Sequence, residues 1–240
     1  MSLLDDLNIK IFADGADLDR IRFLANNPLI KGFTTNPTLM KQAGITDYKK
    51  FALEALKIVD DRPFSFEVFA DDFPTMKEQA LEISSWGDNV NVKIPITNTK
   101  GESSCLLIND LSNMGVKINV TAIMSKDQIY LANEALNPDI YSIISIFSGR
   151  IADTGIDPMP IVKDAVSLVN SSSKANIIWA SPRELLNLFQ ANDVGCHIIT
   201  VTNDILKKLD FIGKDLEEFS LDTVKMFYND ALSSDFKIDT

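Results

Sequence analysis

Lys93 lies inside the run DNVNVKIPIT, residues 88–97, an apolar β-type stretch of the kind found in strands buried on both faces. Lysine is almost never fully buried without a reason. Burial disfavours the charged amine, and a neutral amine can attack a ketone to form a Schiff base. The simpler alternative is a lysine at a strand edge, with its stem packed and its head in water. Schiff-base chemistry also needs an acid nearby to move protons as the carbinolamine dehydrates and a carbon–carbon bond breaks. Asp14, closing KIFAD, and Glu67, inside FSFEVF, are the candidates. Glu67 with Thr121 could hold the water that shuttles those protons.

Further polar residues fall at the ends of similar runs. Thr34, Thr35 and Asn36 close IKGFTTN, Asn119 and Thr121 lie in KINVTAI, and Ser145 and Phe147 precede Arg150. Ser181 and Arg183 follow NIIWA. Each has a dull explanation on its own. Asp14 could cap a helix, and Thr35-Asn36-Pro37 reads as a turn and helix start. Asn119 and Thr121 could hydrogen-bond internally, and both arginines could be surface charges. Arg150 and Arg183, with Ser181 at an expected helix N-terminus, also make a reasonable phosphate clamp.

Eight β-like runs must position these groups: 10–14, 30–35, 64–69, 90–96, 117–123, 141–147, 176–181 and 197–202. Segments of helical period lie between them. Tyr48, Phe51, Ala52, Ala55, Leu56 and Val59 follow an i, i+3, i+4, i+7 stripe, and Ile161, Ala165, Leu168 and Val169 make another. Residues 76–86, 103–114, 126–136, 184–191 and 203–209 complete the alternation, and 216–232 adds an amphipathic tail. This order predicts a (β/α)8 TIM barrel, a single domain over residues 1–240 with an extra C-terminal helix; an open doubly wound sheet is the alternative. In such a barrel chemistry sits at the C-terminal ends of the strands, where the polar residues collect.

The totals narrow the function. A formal net charge of −11 argues against broad binding to nucleic acid or anionic membranes, so a phosphorylated ligand must be held by a few local arginines and backbone amides. His197 is the sole histidine, which disfavours His triads and multi-His metal sites. Cys105 and Cys196 lack metal-ligand spacing and read as buried thiols of a reducing cytosol. The sequence shows no secretory signal and no run of about 20 apolar residues. Without a Walker loop or dinucleotide glycine fingerprint, it offers no metal, nucleotide or NAD site.

Taken together, FADGA, GFTTNPTLM, FEVFA, VNVKIPIT, INVTAI, SIFSGRIAD and WASPRE resemble the transaldolase family over residues 10–210, with TTNP and VKIPIT the most specific. The short length resembles the small branch that also contains the fructose-6-phosphate aldolases. The resemblance implies a cytoplasmic, cofactor-free class I enzyme of the pentose phosphate pathway that forms its Schiff base on Lys93. Asp14 would act on the sugar hydroxyl at the cleaved bond, and Glu67 and Thr121 would position the water. Thr34, Asn36, Asn119, Ser145 and Phe147 would line the sugar, and Arg150, Ser181 and Arg183 would hold its phosphate. Sedoheptulose 7-phosphate, fructose 6-phosphate, erythrose 4-phosphate and glyceraldehyde 3-phosphate would be the partners, in a homo-oligomer that is often a pentamer or decamer in this branch. Glu67, Asn119 and Phe147 match the transaldolases, whereas the aldolases tend to carry Gln, an aliphatic residue and Tyr. Ile146 and Pro182 depart from the common proline and phenylalanine, and could loosen substrate fit without touching the Schiff-base chemistry. An aldolase, or a non-catalytic sugar-phosphate-binding barrel, are the other readings.

Overall fold

The computed structural model of the protein describes residue 4, residues 7–234 and residues 236–238. Eight strands, β1 (Lys10–Asp14), β2 (Ile30–Thr34), β3 (Phe64–Glu67), β4 (Val90–Pro95), β5 (Ile118–Ile123), β6 (Ser142–Ile146), β7 (Ala175–Trp179) and β8 (Ile198–Thr202), pair in chain order, all parallel. β8 returns to β1, with Phe12 opposite Thr200 and Asp14 opposite Thr202. The closed sheet is the (β/α)8 barrel; there are no free edges, as an open doubly wound sheet would have.

Helices α1 (Leu18–Ala25), α2 (Pro37–Gln42), α3 (Tyr48–Val59), α4 (Phe73–Ser84), α5 (Cys105–Asn113) and α6 (Lys126–Ala135) fall in the first five crossovers. After β6 come α7 (Ser148–Asp153) and α8 (Met159–Ser172), and α9 (Leu186–Asp193) joins β7 to β8. A short α10 (Asn203–Leu206) and a 3-10 turn lead into α11 (Leu216–Ser233). The long helices stand where the apolar stripes put them. Helices α1, α2 and α7 carry no such stripe, because one or two turns are too short to show a period. Local signals do mark α1 and α2: Asp17 accepts the Arg20 N–H and Asn36 accepts the Leu39 N–H as N-caps. Asp17, not Asp14, is thus the cap after β1.

Side chains alternate across a strand, and this sorts the barrel into two cores. Outward residues such as Ala13, Phe33, Phe66, Val92, Val120, Ile144, Trp179 and Val201 pack with the helices in one large cluster. A smaller cluster inside the barrel joins Phe12, Ile143, Ile178, Ala180 and Ile198. Its members come only from β1, β6, β7 with the residue that follows it, and β8. The inward positions of β2 to β5 are instead Gly32, Thr34, Ser65, Glu67, Asn91, Lys93, Asn119 and Thr121. The apolar cluster therefore lies on the β1 and β6–β8 side, where Asp14, Ser145 and Thr200 add inward polar groups toward β2 and β5, and the β2–β5 side carries no apolar cluster. Gly32 makes room for the apolar cluster: a Cβ there would stand 2.5 Å from the Phe12 ring.

Cys196 is buried, its thiol pushed up to about 12 by desolvation, but Cys105 is only half-buried. His197 serves structure: its Nδ1 accepts the Ile177 N–H at 3.0 Å and its Nε2 meets Asn170 Oδ1 at 3.0 Å. Within α11 every residue but Thr223 is exposed, so this helix does not cover its own barrel. Among the described residues no helix is long and apolar enough to cross a membrane.

Candidate active site

Lys93 points inward from β4 and is 7% exposed. Its Nζ lies 2.9 Å from Glu67 Oε2 on the neighbouring strand and donates to the Thr35 carbonyl at 2.9 Å. Register fixes the first contact, since Lys93 stands opposite Glu67 in the β3–β4 pair. A surface-edge lysine with its head in water is thereby ruled out. Buried ammonium groups require a paired charge and hydrogen bonds, and this one has both.

Asp14 closes β1 on the same end of the barrel. Thr34 Oγ1 donates to Asp14 Oδ1 at 2.7 Å and lies 2.5 Å from Thr200 Oγ1. A hydroxyl has one proton, so Thr34 gives its own to the carboxylate and Thr200 must donate to Thr34. Desolvation raises the Asp14 carboxyl above its ordinary range, outweighing the attraction of Lys93 and the Thr34 bond, while Glu67 adds to the rise. The three groups therefore share one electrostatic site.

Across the barrel, Ser145 Oγ donates to Asn119 Oδ1 at 2.6 Å, and Asn119 Nδ2 donates to Ser65 Oγ at 3.1 Å. All three are buried. Asn119 does hydrogen-bond within the barrel. Thr121 does not: its Oγ1 is buried with no partner among the described residues. The β5–β6 register slips between Val120 and Ile123, and Ala122 adopts φ 63°. Such bulges near active sites re-aim side chains, and this one follows directly on Thr121. Phe147 is half-buried and packs on the apolar cluster of the interior.

A third group lies where α7 meets the β7–α9 loop. Gly149 N–H donates to the Ala180 carbonyl at 3.3 Å, and a Cβ on Gly149 would stand 1.6 Å from the Ser181 carbonyl oxygen. Ser181 has φ 58°, a left-handed turn. It is not at a helix N-terminus as expected, because α9 begins only at Leu186; Asn187 Oδ1 instead accepts the Arg183 and Glu184 N–H groups. Arg183 pairs with Asp153 of α7. Arg150 is exposed and makes no hydrogen bond or ion pair among the described residues. Gly149, Ser181 and Arg183 thus meet at the same end of the barrel as Lys93, and Arg150 follows Gly149 on α7. Neither arginine touches the Lys93 cluster. Ile146 is fully buried between barrel and helices, so it faces away from the interior and cannot contact a bound sugar directly. Pro182 is buried beside Ser181.

The chain's residues 11–238 match the family model described as transaldolase/fructose-6-phosphate aldolase. A "Probable transaldolase" of Dehalococcoides mccartyi is 34% identical over 202 residues, covering 84% of this chain and 90% of that protein. The chain belongs to the transaldolase/fructose-6-phosphate aldolase family. A "Probable transaldolase 2" of Listeria monocytogenes is likewise 34% identical, over 84% and 88% of the two chains. A solved structure from Burkholderia cenocepacia J2315 superposes with a TM-score of 0.58 at 13% identity, over 81% of this chain and 76% of that one, and shares the fold alone.

In this transaldolase-family barrel Lys93, Glu67, Asp14 and Thr34 are joined by direct bonds or charge, and Asn119 joins Ser145. Asn36 uses its Oδ1 to cap α2, leaving Nδ2 as its free donor. Sequence reasoning missed four participants: Thr200, Ser65, the Thr35 carbonyl and Gly149. Thr200 and Ser65 had a signal, since each lies two residues before another inward polar residue on its strand. The backbone carbonyl had none.

Proposed function

We propose that this protein is a transaldolase, moving a dihydroxyacetone unit from sedoheptulose 7-phosphate to glyceraldehyde 3-phosphate, with erythrose 4-phosphate and fructose 6-phosphate as products. The observation that carries the reading is a buried lysine held between a carboxylate and a carbonyl at the catalytic end of a barrel. The Lys93 ammonium passes a proton toward Glu67 and the freed amine adds to the ketose carbonyl. Loss of water, managed by Glu67 and Thr121, leaves an imine. Asp14 takes the proton from the hydroxyl next to the cleaved bond, the carbon–carbon bond breaks, and its electrons form an enamine on Lys93. The enamine then attacks the acceptor aldehyde, Asp14 returns the proton, and water releases the new ketose. The covalent intermediate divides one difficult step into two. Asn36, Asn119, Ser145 and Phe147 orient the sugar, and Arg150, Ser181 and Arg183 hold its phosphate, with Arg183 exchanging Asp153 for the ligand.

Glyceraldehyde 3-phosphate release from fructose 6-phosphate, with and without erythrose 4-phosphate, tests this. Sustained turnover only with the acceptor is expected. Sustained release without it would make the protein an aldolase, and no release in either case would leave a sugar-phosphate-binding barrel. Lys93→Met should abolish turnover, and an active variant would refute the Schiff-base route. The same reading takes the protein as a homo-oligomer, with α11 as the element that docks on a second copy; a monomer in sedimentation analysis would refute that.

A further inference from the structure

The β2–β3 ladder stops short, and what replaces it bears on Lys93. Phe33 N–H bonds the Pro63 carbonyl at 2.8 Å, and Thr35 N–H bonds the Ser65 carbonyl at 3.3 Å. Evenly spaced parallel pairing would continue with Glu67 N–H on the Thr35 carbonyl, then with residue 37 N–H on the Glu67 carbonyl. The second bond is impossible, because residue 37 is proline and has no N–H. Buried backbone groups need partners. Here Tyr48, from the start of α3, supplies both: its hydroxyl accepts the Glu67 N–H at 2.8 Å and donates to the Glu67 carbonyl at 3.0 Å. The Thr35 carbonyl, released from the ladder, accepts the Lys93 ammonium instead.

We propose that Tyr48 is a positioning residue for the Lys93 site: by taking the backbone bonds of Glu67 it reserves the Thr35 carbonyl for Lys93 and sets the Glu67 carboxylate against the amine. This rests on the Schiff-base reading given above. The ring is held in place by edge contacts with Phe66 and Trp86, at 6.1 and 5.3 Å between centroids, and a tilted contact with Phe69 at 4.6 Å. Desolvation pushes the Tyr48 phenol up, which keeps the proton it needs to donate and accept at once. Without the hydroxyl, Glu67 N–H has one ladder partner in reach, the Thr35 carbonyl, and taking it deprives Lys93 of its acceptor.

The test is borohydride trapping of the ketose adduct, read by mass at Lys93, with single-turnover rates for wild type, Tyr48→Phe and Trp86→Phe. Wild type is expected to trap at Lys93; no adduct would overturn both the Schiff-base reading and this one. Tyr48→Phe is expected to slow imine formation and kcat by about 10- to 100-fold, the scale of a small misplacement of a reacting group, with KM changed by less than about threefold. A 4-aminophenylalanine at position 48, which keeps a donor and an acceptor, is expected to restore most of the rate. Trapping in wild type together with an unchanged Tyr48→Phe rate would overturn the role of Tyr48 alone. Trp86→Phe removes an aromatic edge and leaves the hydroxyl, so its imine rate is expected within about twofold of wild type. A loss of about 10-fold or more there would assign the effect to packing and overturn the proposal, whether or not Tyr48→Phe folds.

Discussion

Replacing Gly149 with alanine probes the phosphate site with one methyl group. The added Cβ would lie 1.6 Å from the Ser181 carbonyl oxygen, 2.7 Å from its carbon and 3.1 Å from Arg183 Nε. Ordinary contact begins at 3.4 Å, so going from 1.6 to 3.4 Å requires about 1.8 Å of movement. The obstacle is backbone and not a flexible side-chain tip, and Ser181 is already in a left-handed turn with little freedom to yield. Ser181 and Arg183 therefore move as a unit away from α7. A misplacement of about 1 Å can cost about 100-fold in rate, or about 2.7 kcal/mol. The expected result is a loss of about 100-fold in kcat/KM for fructose 6-phosphate, chiefly through KM. An unphosphorylated ketose donor should lose less than about threefold, since the Lys93 cluster shares no atom with this contact. Steady-state kinetics with the two donors, alongside circular dichroism to establish folding, decide the matter. A folded variant that loses both activities equally, or neither, would refute the assignment of the Gly149–Ser181 contact to anion binding.

Asp14→Asn should remove kcat by about 100- to 10,000-fold yet raise the thermal midpoint at neutral pH. Its carboxyl titrates above the ordinary value of 3.8 in the folded state, so the folded protein holds the proton longer than the unfolded chain, and stability falls as pH rises from 3.8 through the folded value. The variant's advantage should therefore vanish below pH 3.8; a midpoint below that of wild type at pH 7 would contradict the desolvation argument. Gly32→Ala should drive a Cβ into the Phe12 ring and destabilise by about 1–3 kcal/mol, read as a lower denaturant midpoint. Unchanged stability would mean that the apolar cluster inside the barrel has slack.

Much of this architecture could be read from the chain. The eight strands follow from short Ile, Val and Phe runs whose cores matched to within two residues at most ends, because strands buried on both faces are continuously apolar. Their ends were less legible. Against β2 the run 64–69 pairs only as far as Ser65, since Pro37 deprives β2 of the donor that would extend it, and no property of FSFEVF itself announces this. Helices α3 and α8 show as stripes, whereas α1 and α7 are too brief for periodicity: α1 rests on its Asp17 cap and α7 on its place in the barrel. Ile146 illustrates parity: Ser145 points inward, so its neighbour points out toward the helices, and any effect of Ile146 on substrate fit must act through packing.

By itself the sequence determined the alternation of strand and helix, and with it the two-residue period that puts Asp14, Thr34, Glu67, Lys93, Asn119 and Thr121 on the inner face. That follows from local backbone geometry, which any stretch of chain carries with it. Only the tertiary structure decided which of those inner residues meet. Register between strands sets Lys93 beside Glu67, closure of β8 onto β1 brings Thr200 to Thr34, and the early end of the β2–β3 ladder gives Thr35 to Lys93 and Glu67 to Tyr48. These contacts join residues up to 166 positions apart. They depend on the relative height of neighbouring strands, which no single strand encodes.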